Sequence, residues 1–208
     1  MLPDIGNALI NVALLWILTT PHEFAHAWVA ERLGDDTPRL DGRVTLNPLA
    51  HVDWLGTLIL PVVTSLLGGG FIGWGRAVRT NPAKLRGGLN GLALVALAGP
   101  ASNVVFAVVL GAVAVFAAGV SPSLAQFAAH GVRLSLYLAI FNMLPVPPLD
   151  GSKLLLAARV PPAIYNELAR FGFMLLVVAV SVSDVGRWMS LWSGYGARLI
   201  FGLFQQGA

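Results

Sequence analysis

Residues 89–124 carry no charged side chain. A helix needs only about 20 consecutive apolar residues to cross a hydrocarbon layer of about 30 Å, so a run of this length reads as membrane-embedded. The composition agrees. Of all residues, 56% are hydrophobic and 11% charged, against about 25% charged in ordinary soluble domains, and the mean hydropathy is +0.75. Further uncharged stretches fall at 5–18, 55–67, 134–149 and 171–183. The expected fold is an all-α membrane protein, a polytopic bundle of about five to six membrane segments within one domain spanning 1–208. The stretch 55–67 is interrupted by Pro61 and followed by Gly68, Gly69 and Gly70, which suits a short span or a re-entrant element. Residues 43–46 suit a short extended segment.

Charge narrows the partners. The net charge is +3, and no dense Lys/Arg run with interleaved aromatics occurs, so a nucleic-acid surface is not expected. Arg76, Arg79, Lys84 and Arg86 stand together without an acid between 76 and 86, which predicts a cytoplasmic loop beside anionic lipid. The chain has no cysteine, which removes disulfides, thiolate zinc sites and a cysteine nucleophile. Residues 1–4 lack the basic region of a secretory signal, so the first apolar stretch is expected to be retained as a span. The aromatic, Gly- and Arg-containing tail from 187 to 204 suits the membrane interface.

Within this apolar chain lies His22-Glu23-Phe24-Ala25-His26. Side chains four apart on a helix share a face on successive turns, so both imidazoles can meet one Zn²⁺ at about 2.0–2.1 Å. Glu23 is then placed to take a proton from a water at the open position. By composition alone the pattern is expected roughly 0.001 times in a chain like this. A blander alternative is a helix start, with Thr20 as N-cap, Pro21 at the first position and Glu23 closing a capping box. Two imidazoles and a carboxylate in apolar surroundings are costly without a function, which favours the metal.

A catalytic zinc normally takes a third protein ligand. Most acids of the chain lie in charged, loop-like segments. Asp150 instead ends an uncharged run broken by Pro145, Pro147 and Pro148, so it needs a partner, and a metal is the favoured one. A turn or N-cap role before a helix near Ser152 is the alternative for Asp150, and Glu167 is the alternative ligand.

Together, His22 to His26 and the segment carrying Asn142, Pro145 and Leu149-Asp150-Gly151 resemble the site-2 protease family of intramembrane zinc metalloproteases. Gly99-Pro100-Ala101-Ser102-Asn103 is similar to an intermediate element of that family. Gly42 to Pro48, and Gly73-Trp74-Gly75 with Asn81-Pro82, are similar to its compact prokaryotic branch. The resemblance covers most of residues 10–160, leaving 161–208 for a C-terminal span and interfacial tail. It implies one Zn²⁺ per chain held by His22, His26 and Asp150, Glu23 as the catalytic glutamate, and Asn142 near the site, contacting the substrate or developing oxyanion. Equally, the Asn142 amide could satisfy backbone groups freed by Pro145. The implied activity is endopeptidase cleavage of membrane-inserted protein substrates, in a multi-pass protein of a prokaryotic cytoplasmic membrane. A PDZ-sized insert between the motif elements and a nucleotide-sensing domain after residue 160, which family members use for control, are not expected here. The alternatives are a non-proteolytic zinc-binding membrane protein and a metal transporter. Intact Glu23 and the absence of a charged path between 89 and 124 disfavour them. His51 reads as a polar loop residue and His130 as interfacial.

Overall fold

A computed structural model describes residues 5–59, 61–63, 73–182 and 184–205. The chain opens with α1, Ile5–Arg32, which runs without a break through Pro21. Among its buried positions, Val12, Leu15, Leu18, His22, Glu23, His26, Ala27 and Ala30 lie along one face, and Leu14, Thr19 and Thr20 are buried beside them. The named face passes from aliphatic side chains to the imidazoles and carboxylate of the motif. Pro21 cannot donate to the preceding turn. Beside it the hydroxyls of Thr19 and Thr20 donate to the carbonyls of Leu15 and Trp16, at 2.8 Å each. No helix starts at Thr20, and the capping box is not formed.

A short helix α2, Thr37–Leu40, a 3₁₀ turn at Pro48–His51 and a π-helical turn at Trp54–Ile59 follow. The expected extended piece at 43–46 is instead a bend, tightened by a bond from the Thr45 amide to the Arg43 carbonyl. Residue 60 and residues 64–72, which include five positions of the expected re-entrant stretch and its glycine run, lie outside the described residues. The chain then runs extended from 73 to 80. Three long helices come next in the order α3, Leu89–Ala117, and α4, Pro122–Asn142, which Ser121 caps, then, after the short α5, Gly151–Ala157, α6, Pro162–Val182. The last element is α7, Val185–Gln205. Among the described residues there is no strand, so the fold is all-helical as expected.

Three helices are long and apolar enough to cross a membrane: Leu89–Ala117, Pro122–Asn142 and Pro162–Ala179. α1, at 28 residues, and α7, at 21, match them in length but carry more polar side chains. Small residues let the helices close up. A Cβ on Gly111 of α3 would lie 2.4 Å from Ile200 of α7, and one on Gly131 of α4 would lie 2.9 Å from Leu110 of α3. Around these contacts Ala107, Val132, Leu136, Ala197 and Ile200 form one buried cluster. A second cluster joins α1 to α3 through Ala30, Leu85, Leu92 and Val95. Outward faces stay apolar, with Val105, Phe116, Leu191 and Leu203 exposed, which suits lipid as the outer solvent.

Candidate metal centre

The buried stripe of α1 presents His22 and His26 one turn apart, and the loop after α4 brings Asp150 to them across 128 residues of sequence. Asp150 Oδ2 lies 3.1 Å from His22 Nε2 and 3.0 Å from His26 Nε2, and the two Nε2 atoms are 3.1 Å apart. Donors placed tetrahedrally around zinc at about 2.0–2.1 Å stand roughly 3.3–3.4 Å from one another. The triangle is therefore close to the size a bound ion requires. It is the one group of metal-competent side chains among the described residues, and all three members are buried.

The donor chemistry tests the fit independently. His26 Nδ1 lies 2.7 Å from the Val95 carbonyl of α3. A carbonyl only accepts, so Nδ1 carries a proton, and a neutral ring in that tautomer offers its lone pair at Nε2. In that form the lone pair meets a carboxylate oxygen, an arrangement that a cation between them satisfies. Three electron-rich atoms converging in a buried space fit a divalent metal.

Backbone close approaches build the cradle. A Cβ on Gly99 of α3 would lie 2.3 Å from His26 Nε2 and 2.6 Å from His22 Cε1, so only glycine lets α3 approach both rings. A Cβ on Gly151 would meet the Met143 carbonyl at 2.2 Å, so this glycine lets the loop fold back on the end of α4. Asp150 stands at the N-cap position of α5, yet its side chain makes no capping bond. Its Oδ1 instead accepts from Lys153 Nζ at 2.9 Å.

Glu23 is buried on the same face, and its Oε2 accepts the Val78 amide at 3.0 Å. That bond belongs to a series along the extended segment. The amides of Trp74 and Arg76 donate to the carbonyls of Gly56 and His51, at 2.9 Å each. Amides at every second residue of this segment thus bond to the body of the protein. His51 is almost fully buried, not a loop residue in solvent, and its Nε2 donates to the Thr45 carbonyl at 2.8 Å. Burial holds its pKa below the usual imidazole range; the Thr45 bond opposes that shift and nearby Arg43 adds to it. Arg43, also buried, donates to the Ala50 carbonyl and so ties the same loop.

The other candidates fall elsewhere. Glu167 is exposed on α6, outside the cluster. The Asn142 amide donates to the Leu138 carbonyl at 3.0 Å, within the last turn of α4, and no hydrogen bond joins it to the cluster. His130 pairs with Asn11 of α1 at 2.9 Å. Sequence reasoning passed over Lys153, Val95 and Val78. Spacing from Asp150 could have suggested Lys153; the other two act through backbone atoms and leave no signal in residue type.

Comparison with known proteins gives a consistent result. The chain is 35% identical over 192 residues to a Bacillus subtilis protein named "Putative zinc metalloprotease YwhC", covering 87% of this chain and 83% of the relative. It is also 35% identical over 191 residues to a Mycolicibacterium smegmatis protein named "Putative zinc metalloprotease Rip2", covering 88% of this chain and 71% of that one. A Mycobacterium tuberculosis protein of the same type, Rip3, is 31% identical over 154 residues and matches over 30% of its own length. No family model matches the chain, and no solved structure does. With a metal cluster of fitting chemistry and relatives of this identity and coverage, the chain belongs to the site-2 protease-like family of zinc metalloproteases.

Proposed function

We propose that this zinc metalloprotease is an intramembrane endopeptidase, hydrolysing peptide bonds in or beside the membrane-spanning segments of other membrane proteins. The observation that carries this reading is the buried triangle of acceptor atoms, with Glu23 next to one of its members in sequence. Depth supports the intramembrane part. Val95 and Gly99, which touch the histidines, lie about 9 and 15 Å along α3 from its start at a rise of 1.5 Å per residue. Both are inside a helix apolar enough to span.

In this reading His22, His26 and Asp150 hold one zinc ion per chain, which when bound supplies Lewis-acid polarisation of the scissile carbonyl and a more acidic water. Glu23 is the general base and then the general acid. The Val78 amide fixes its Oε2 and leaves Oε1 to take a proton from the attacking water and pass it to the leaving amine. A substrate helix hides its carbonyls in its own hydrogen bonds, so it must unwind before it can be cut. The segment 73–80, bonded to the body of the protein through its amides at every second residue, suits backbone pairing with such an unwound segment. Asn142 ends the helix whose following loop delivers Asp150, which supports a role in contacting substrate. The whole chain acts as one domain, with α1 and α7 crossing the membrane beside α3, α4 and α6. That makes five crossings in a prokaryotic cytoplasmic membrane.

The test is cleavage of a panel of tagged single-span substrates by purified protein in detergent, with zinc content measured for each variant. Glu23→Gln is expected to keep zinc and lose cleavage, while Asp150→Asn loses both. If wild type and both variants hold zinc equally and none cuts any substrate, the proposed roles are wrong.

A further inference from the structure

The two oxygens of Asp150 face different partners. Oδ2 looks at both imidazoles, while Oδ1 accepts from Lys153 Nζ one helical turn further on. Lys153 is not a solvent-facing surface cation. Its side chain is 24% exposed, against 65% for Arg39 and 78% for Arg79, which form ion pairs at the surface. An ammonium is costly in apolar surroundings unless it is paired. Within α5 it is the one charged side chain, and the acid it meets is the metal-facing one.

Carboxylates bind cations through one oxygen or through both. A second oxygen from Asp150 would take the coordination position that a catalytic zinc must leave open. A charge-assisted hydrogen bond on Oδ1 prevents that, because rotating the carboxylate inward would break it. We propose that Lys153 is a positioning residue that keeps Asp150 a single-oxygen ligand and so keeps the fourth position free for water and substrate. This rests on the assignment of His22, His26 and Asp150 as the ligands.

Electrostatics alone predicts the opposite sign for metal affinity. Removing a positive charge beside a dication should tighten binding, whereas losing a positioning contact should loosen it or change its geometry. The experiment replaces zinc by cobalt(II) in the purified full chain and compares wild type, Lys153→Met and Lys153→Arg. It reads cobalt affinity by chelator competition, the visible ligand-field spectrum and kcat. For Lys153→Met the expected result is a weaker, five-coordinate-type spectrum or loosened cobalt, with kcat down about 10–100-fold. Lys153→Arg, which can still donate to Oδ1, restores most of both. A Lys153→Met protein with the wild-type spectrum and equal or tighter cobalt binding overturns the proposal, whatever its kcat. Should that variant fail to fold, Lys153→Gln is read by the same criteria. Asp150→Asn separates the two levels: if it too keeps the wild-type affinity and spectrum, the ligand assignment fails, not the role of Lys153 alone.

Discussion

Gly99 is the smallest residue in the metal centre and one of the most constrained. A single methyl there would overlap both imidazoles, at 2.3 and 2.6 Å from their nearest atoms. Gly99→Ala is expected to push the rings off the triangle, lowering zinc affinity at least about tenfold and stability by about 1–3 kcal/mol. Zinc competition and thermal unfolding on the same preparation would check this, and wild-type affinity in the variant would refute it. Much of the centre was legible in the residues themselves. His22, Glu23 and His26 stand out by their spacing, and Asp150 as a lone acid ending an apolar, proline-broken run; the structure brings His22, His26 and Asp150 together. What could not be read is contact across sequence. Gly99 is visible as part of a motif, but its reason is a pair of rings more than seventy residues away. His51, which reads in the sequence as a polar loop residue, is buried, and its backbone and ring tie two loops together.

Elements carry the next layer. The extended segment 73–80 hands one amide each to Gly56, His51 and Glu23 at every second residue. Val78→Pro removes the amide that holds the Glu23 carboxylate while leaving the metal ligands untouched. Cleavage by this variant is expected to fall about 10–100-fold with zinc content unchanged, by analogy with the loss of other orienting partners. Wild-type kcat in a folded, zinc-loaded Val78→Pro protein would sink the orienting role. Hydropathy alone announces α3, because nothing but a helix satisfies so long an apolar backbone. α1 was harder, since Thr20, Pro21 and Glu23 imitate a helix start; the preceding aliphatic stripe continues into the motif and keeps the helix whole. The bend at 43–46 was equally hidden: a local backbone bond closes it, and the buried Arg43 side chain reaches on to the Ala50 carbonyl.

For the whole molecule, five crossings would put the basic loop at 76–86 and the short α3–α4 connection on opposite faces of the membrane. The chain has no cysteine, so single cysteines report topology without background. Gly119 has open space around it. Gly119→Cys is expected to react with an impermeant maleimide from outside intact cells, and Ala83→Cys only after permeabilisation. Labelling of both from the same side would overturn the five-crossing arrangement. Composition and charge made the membrane class legible, but the number of crossings depends on α1 and α7, whose polar residues dilute the apolar signal: those of the metal motif are buried in α1, whereas Arg187, Ser190, Tyr195 and Arg198 of α7 are exposed. The 128 residues between His22 and Asp150 also matter during synthesis. Until Asp150 has left the ribosome, a nascent chain can insert α1, α3 and α4 with two histidines and no third ligand. On the proposed reading, an intramembrane protease built this way stays silent beside the insertion machinery, and gains its cutting power only after most of its own spans are in place.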